Sequence, residues 1–123
     1  MNRVAPSTQI CPHYHKAIEL IGRRWTGAIL GAMLAGETRY TDIIQAVPGL
    51  SDRLLSERLK ELEAEGIVVR HVHPDTPVRI EYCLTAKGRD LGEVTDAVSA
   101  WAHRWSAEGV RGQENHSSLT SDP

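Results

Sequence analysis

The sequence predicts an α+β fold in which four helical segments precede a two-stranded β-hairpin and a long helix closes the chain. Three observations carry the prediction. Apolar residues recur at helical spacing in four blocks between Pro12 and Glu65, each followed by a glycine or a Pro-Gly pair. The period then changes to that of a strand on either side of the turn residues Pro74-Asp75-Thr76-Pro77. Beyond the hairpin, Leu91, Val94, Val98, Trp101 and Trp105 repeat at intervals of three, four, three and four, a short seam of heptad type. Helices, hairpin and closing helix in that order are the layout of a winged helix-turn-helix with a C-terminal dimerisation helix.

Each element has a local signal. Residues 1–10 are polar with one proline and read as a flexible arm. Pro12 suits a first helical turn, and Tyr14, Ala17, Ile18 and Ile21 follow at helical spacing up to Gly22. The stretch from Trp25 to Leu34 sets Trp25, Ile29, Met33 and Leu34 on a compact face and stops at Gly36, as a buried helix would. Thr38 or Arg39 opens a short third helix through Asp42, Ile43, Ile44 and Val47, which Pro48-Gly49 ends. Ser51 is a good N-cap for the fourth, with Leu54, Leu55, Leu59 and Leu62 ahead of Gly66. Leu54 stands where a capping box needs an acid, so that box is absent, while Asp52 still complements the helix dipole. Ile67, Val68 and Val69 start a β-branched run to His73, and Val78, Ile80, Tyr82 and Leu84 share one side of a second strand. Thr85 opens the last helix. From Gly109 the chain is rich in Ser, Gly and Asn without periodicity, so 109–123 reads as a disordered tail and 11–108 as one domain.

Composition excludes little and directs attention. An apolar share of 41% and a charged share of 24% suit a soluble domain, and no apolar run reaches the length of a membrane span. The opening residues do not lead into a signal-type apolar stretch, so the expected compartment is the cytoplasm. Net charge is −2, yet the acids concentrate late: Met1 to Gly66 holds eight basic and eight acidic side chains, Ala86 to Pro123 four and six. A local basic face for phosphate is compatible with that balance.

The fourth helix is the candidate reading element. Leu55, Leu59 and Leu62 form a narrow apolar stripe, and Arg53, Ser56, Glu57 and Lys60 lie on roughly the opposite face. One face can anchor to a scaffold while the other donates to base edges: Arg53 to guanine, Ser56 to several bases, Glu57 accepting from cytosine. Arg58 and Lys60 lie further along, where phosphates are the natural partners, and Arg39 precedes the supporting helix in a similar place. Arg70, His73 and Arg79 flank the hairpin loop and can reach phosphates or the adjacent minor groove. For the helix alone a solvated charge face is the default reading; the Pro-Gly turn before it and the hairpin after it shift the balance toward double-stranded DNA.

The chain resembles the HxlR-type transcriptional regulators, which share a MarR-like DNA-binding domain. The residues that carry the resemblance are Cys11-Pro12, Glu19-Leu20-Ile21-Gly22 with Arg24-Trp25-Thr26, Arg39-Tyr40 with Asp42-Ile43, Pro48-Gly49-Leu50-Ser51, Leu55 with Arg58-Leu59 and Leu62, and Pro77 through Thr85, over about residues 11 to 105. The resemblance implies a winged-helix homodimer acting on a palindromic site near a regulated operon. It also implies that the first and last helices form the dimer interface, here Tyr14, Ile18, Leu91, Val94, Val98, Trp101 and Trp105, and that the helix from Ser51 enters the major groove. Arg24, Tyr40 and the acidic Glu57 depart from common family residues, the last in a way that bears on base preference.

Cys11 stands at the start of the first helix, where free N–H groups favour a thiolate, with His13 and His15 nearby. In some members of the family the equivalent cysteine senses oxidants or electrophiles, and in others it has no such role. Both readings stay open, as does a small-molecule effector held among Tyr14, Trp25, Trp101 and Trp105, against plain core and dimer packing. A metal site is the weaker reading of Cys11, His13 and His15, because only Cys11 and His15 would share a helical face. Cys83 is expected to be a reduced thiol. No cofactor loop or catalytic constellation stands out, so no enzyme is expected; the rival is a winged-helix module for protein contact.

Overall fold

The computed structural model describes residues 9–106. The arm read over 1–10, apart from its last two residues, and the tail read over 109–123 lie outside that range. The elements run α1 (Pro12–Ile21), α2 (Thr26–Leu34), α3 (Tyr40–Ala46), α4 (Asp52–Ala64), β1 (Val68–His73), β2 (Arg79–Leu84), α5 (Ala86–Arg89) and α6 (Gly92–Arg104). Helices, antiparallel hairpin and closing helix follow in the expected order, so the fold is a winged helix-turn-helix.

The core forms where the inner faces of α2, α3 and α4 meet the base of the hairpin. Ile29, Leu30, Ile43, Leu55, Leu59, Leu62 and Ile67 are at most 2% exposed. The α2 sequence is apolar nearly throughout and loses Thr26, Ile29, Leu30, Ala32 and Met33 to the interior. In α4 only one stripe goes inward, because its leucines recur at helical spacing among charged residues. Helix α1 has no buried residue, although Leu20 and Ile21 at its end pack partly against the core.

The last helical region differs from expectation. One helix was predicted from Thr85; the chain instead makes the four-residue α5, breaks at Asp90–Leu91, and starts α6 at Gly92. The reason lies in packing. Thr85 Oγ1 accepts from Gly88 N at 3.1 Å and donates to Gly66 O at 2.6 Å, which seats α5 on the backbone where β1 begins. A Cβ at Gly88 would collide with Ile67 O, so the approach requires glycine. With Gly88 and Gly92 on either side of the break, continuous helix is also intrinsically disfavoured there. The turn lets α6 run back alongside α2.

Strand register pairs Val68 with Leu84, Arg70 with Tyr82 and His73 with Arg79. Val78, expected at the start of β2, lies before the strand and is 61% exposed. No helix among the described residues is long and apolar enough to cross a membrane.

Candidate nucleic-acid interface

The turn between α3 and α4 sets the direction of the candidate reading helix. Gly49 takes φ +89°, which an L side chain rarely adopts, and a Cβ there would come within 3.3 Å of the Trp25 ring. Ser51 Oγ then accepts from Leu54 N at 3.2 Å, the expected cap. Tyr40 closes the unit by donating its hydroxyl to Asp52 O at 2.6 Å, tying α3 to the first residue of α4. Burial first, then the neighbouring Asp52 and Tyr82, push the Tyr40 phenol above its usual range, so it stays a neutral donor.

Of the residues expected on the outer face of α4, Arg53 and Lys60 are exposed, and Ser56 and Glu57 are partly so. Arg53 Nη1 donates to Glu57 Oε2 at 2.9 Å, one turn along the same face. Lys60 has no ion pair among the described residues, nor do Arg39 and Arg70, both exposed. Of the cations the sequence singled out for DNA, these three are exposed without an ion pair among the described residues. Arg79, by contrast, is tied to Asp75 at 3.3 Å and Glu81 at 3.4 Å, and His73 Nε2 lies 2.8 Å from Glu81 Oε1. His73 and Arg79 therefore shape the wing as much as they offer charge.

Arg58 is a correction. Expected at a phosphate, it is only 7% exposed: Nε donates to Arg24 O at 2.9 Å and Nη1 to Glu61 Oε2 at 3.3 Å. Glu61 also meets Arg23 Nε at 3.4 Å. The signal was in the sequence, because Arg58 stands three residues after Leu55 and four before Leu62, on the apolar stripe itself. Its guanidinium fastens α4 to the connector between α1 and α2.

The wing is fastened too. Tyr82 N donates to Thr38 O at 2.8 Å, and Thr38 Oγ1 donates to Glu81 Oε2 at 3.2 Å. The hydrogen bond from His73 chiefly holds the Glu81 carboxyl below its usual value; Thr38 and Arg79 add to this against the opposing effect of burial. Sequence reasoning missed Thr38 and Glu81, since neither stands out until the strand edge meets the loop before α3.

Helices α1 and α6 expose large apolar side chains. Tyr14, Ile18, Val94, Val98, Trp101 and Trp105 are 41% to 61% exposed, while Leu91 is half-buried against the core. Among the described residues Tyr14, Trp101 and Trp105 are exposed, which fits the plainer reading of interface packing better than an aromatic cavity. The grooves beside α1 are lined instead by aliphatic residues such as Ala17, Leu20, Ile21 and Leu91, and Trp25 packs at the Pro-Gly turn. Cys11 is exposed at the N-cap of α1, and Cys83 is a free, partly buried thiol. No group of three His, Cys, Asp or Glu among the described residues is arranged to hold a metal ion.

A family model for HxlR-like helix-turn-helix proteins matches residues 20–109. The chain belongs to this family. An uncharacterized HTH-type transcriptional regulator of Bacillus subtilis (strain 168), YvaP, is 48% identical over 98 residues, covering 80% of this chain and 91% of YvaP. The HTH-type transcriptional regulator YodB of the same organism is 41% identical over 100 residues, 81% of this chain and 89% of YodB. The reduced form of YodB superposes with a TM-score of 0.72 at 40% identity, over 82% of this chain and 99% of that one. YodB has also been solved diamide-treated and quinone-bound. The oxidised form of the redox regulator HypR matches with a TM-score of 0.70 at 33% identity, over 76% of this chain and 95% of that one. The HxlR-like chain is thus a DNA-binding transcriptional regulator and not an enzyme, and the reading as a module for protein contact alone is not favoured.

Three outcomes follow from the geometry. Arg58→Ala lowers stability by about 2 kcal/mol in urea denaturation, since charge-assisted hydrogen bonds are lost, and leaves the salt slope of DNA binding unchanged. Lys60→Ala does the reverse, leaving stability intact and reducing that slope by about 1. For Glu81, a carboxyl value lowered by folding adds stability that is complete above the usual carboxylate range and lost as pH falls through the lowered value. The urea midpoint of the parent should therefore exceed that of Glu81→Gln most clearly above about pH 5, with the gap shrinking below about pH 4.3.

Proposed function

We propose that this regulator binds a palindromic site in double-stranded DNA as a homodimer and controls a nearby operon, acting in the cytoplasm. The observation that carries the reading is the division of α4: Leu55, Leu59 and Leu62 are at most 1% exposed, while Arg53 and Lys60 face solvent. A helix held so firmly on one side presents the other as a rigid surface, as major-groove readout requires. Ser51, Arg53, Ser56, Glu57 and Lys60 form the reading face; Arg39 and Arg70 meet phosphates, and His73 and Arg79 hold the wing against the backbone.

Dimerisation is supported by the stripe on α1 and α6. Six large apolar side chains exposed together are costly for a monomer, and two tryptophans are the residue type that interfaces favour. Pairing two copies through this stripe puts two α4 helices on one assembly.

Cys11 is the proposed responsive thiol. It is exposed at the start of α1, three residues before Tyr14, so a modification there falls close to the proposed dimer contact. The reduced, diamide-treated and quinone-bound forms of YodB and the reduced and oxidised forms of HypR support an oxidant or electrophile as the effector.

The test is in vitro site selection at fixed salt with the parent, the Arg53→Ala/Lys60→Ala variant, and the parent after diamide or quinone treatment. The parent enriches a palindrome, the folded double variant loses it, and treatment changes binding unless Cys11 is replaced by Ser. Enrichment of no palindrome by the parent removes the proposal, and binding unaltered with Cys11 shown to be modified removes the sensor.

A further inference from the structure

Arg23 and the charged residues along α4 form an alternating chain whose middle member is buried. Arg23 pairs with Glu61 at 3.4 Å, Glu61 with Arg58 at 3.3 Å, Arg58 with Glu57 at 3.8 Å, and Glu57 with Arg53 at 2.9 Å. The middle member is fixed: the Arg58 side chain is 8% exposed and also bonded to Arg24 O. The outer member is the most open, with the Arg53 side chain 78% exposed.

We infer that Glu57 is a specificity-determining positioning residue, which holds the Arg53 guanidinium in place to read a guanine in each half-site and does not itself read a base. The inference rests on the proposed DNA-reading role of α4 and deepens it. Glu57 is held between two arginines, one buried and one exposed, so its carboxylate has a defined place. One oxygen, Oε2, accepts from Arg53 Nη1, while Oε1 faces Arg58. The pairing uses the Nη1 side of the guanidinium and leaves the Nε and Nη2 donors as a free edge, which matches the O6 and N7 acceptors of guanine. A free surface arginine would sample many rotamers and meet any phosphate; one tethered to a neighbouring carboxylate is pre-oriented and has part of its charge compensated. The same compensation explains how an acid is tolerated on a face turned toward phosphates.

The experiment compares site-selection profiles of the parent, Arg53→Ala, Glu57→Ala, Glu57→Gln and the Arg53→Ala/Glu57→Ala double variant, with urea midpoints to show that each is folded. Arg53→Ala and Glu57→Ala relax the preference for guanine at the same base pair, each by roughly fivefold or more, and the double variant relaxes it no further than Arg53→Ala. Glu57→Gln, which keeps the side-chain shape and one acceptor, falls between the parent and Glu57→Ala. Relaxation at a different base pair overturns the inference, because Glu57 would then read its own base. So does an unchanged profile with uniformly tighter binding, which marks Glu57 as a mere negative charge. A parent protein that enriches no motif at all fails earlier and removes the DNA-reading proposal on which the inference rests.

Discussion

The buried guanidinium of Arg58 is the contact on which the arrangement of the reading head depends. A charge taken out of water is costly, and it is tolerated only where geometry supplies acceptors. Here Arg24 O and Glu61 supply them, one from the connector after α1 and one from α4 itself. The pairing lies on the same stripe as the buried Leu55, Leu59 and Leu62 and adds to their hold on the roll of α4, which leaves Arg53 and Lys60 exposed. The connector that receives Arg58 also holds Trp25 against the Pro48-Gly49 turn and Arg23 against Glu61.

The wing obeys a similar rule with different chemistry. The edge of β2 donates from Tyr82 to Thr38, and Glu81 gathers Thr38, His73 and Arg79 around one carboxylate. A two-stranded hairpin is marginal by itself, so its stability comes from this edge contact and from Val68 and Ile67 at its base. The loop before α3 thus carries both the support helix and the wing, and Arg39 at the start of α3 lies in the same cleft as Arg79.

Much of this was legible in the chain because local signals and burial agreed. Ser51, Pro48-Gly49 and the leucine spacing located α4, and the change of period located the hairpin. Arg58 was misread because a residue's type was allowed to outweigh its position: arginine suggests phosphate, yet the interval from Leu55 and to Leu62 puts it inside. The break between α5 and α6 has only a partial signal in Gly88 and Gly92, because its packing cause, the fit of Gly88 against Ile67, joins segments far apart in sequence. The Thr38–Glu81 link was hidden for the same reason. Trp25 and the tryptophans of α6 have separate surroundings, the first packed at the Pro-Gly turn and the others exposed, which fits the plainer reading of core and interface packing.

The proposed dimer joins an outer face of α4 held from behind by buried leucines to the apolar side chains exposed on α1 and α6, with the Cys11 thiol exposed at the start of α1. The central claim is that two α4 helices enter successive major grooves on one face of the duplex. Hydroxyl-radical footprinting on a selected site tests it most directly. The account predicts two matching protected patches about 34 to 36 Å apart on one face, related by two-fold symmetry. A single patch, or protection spread evenly around the duplex, would contradict it.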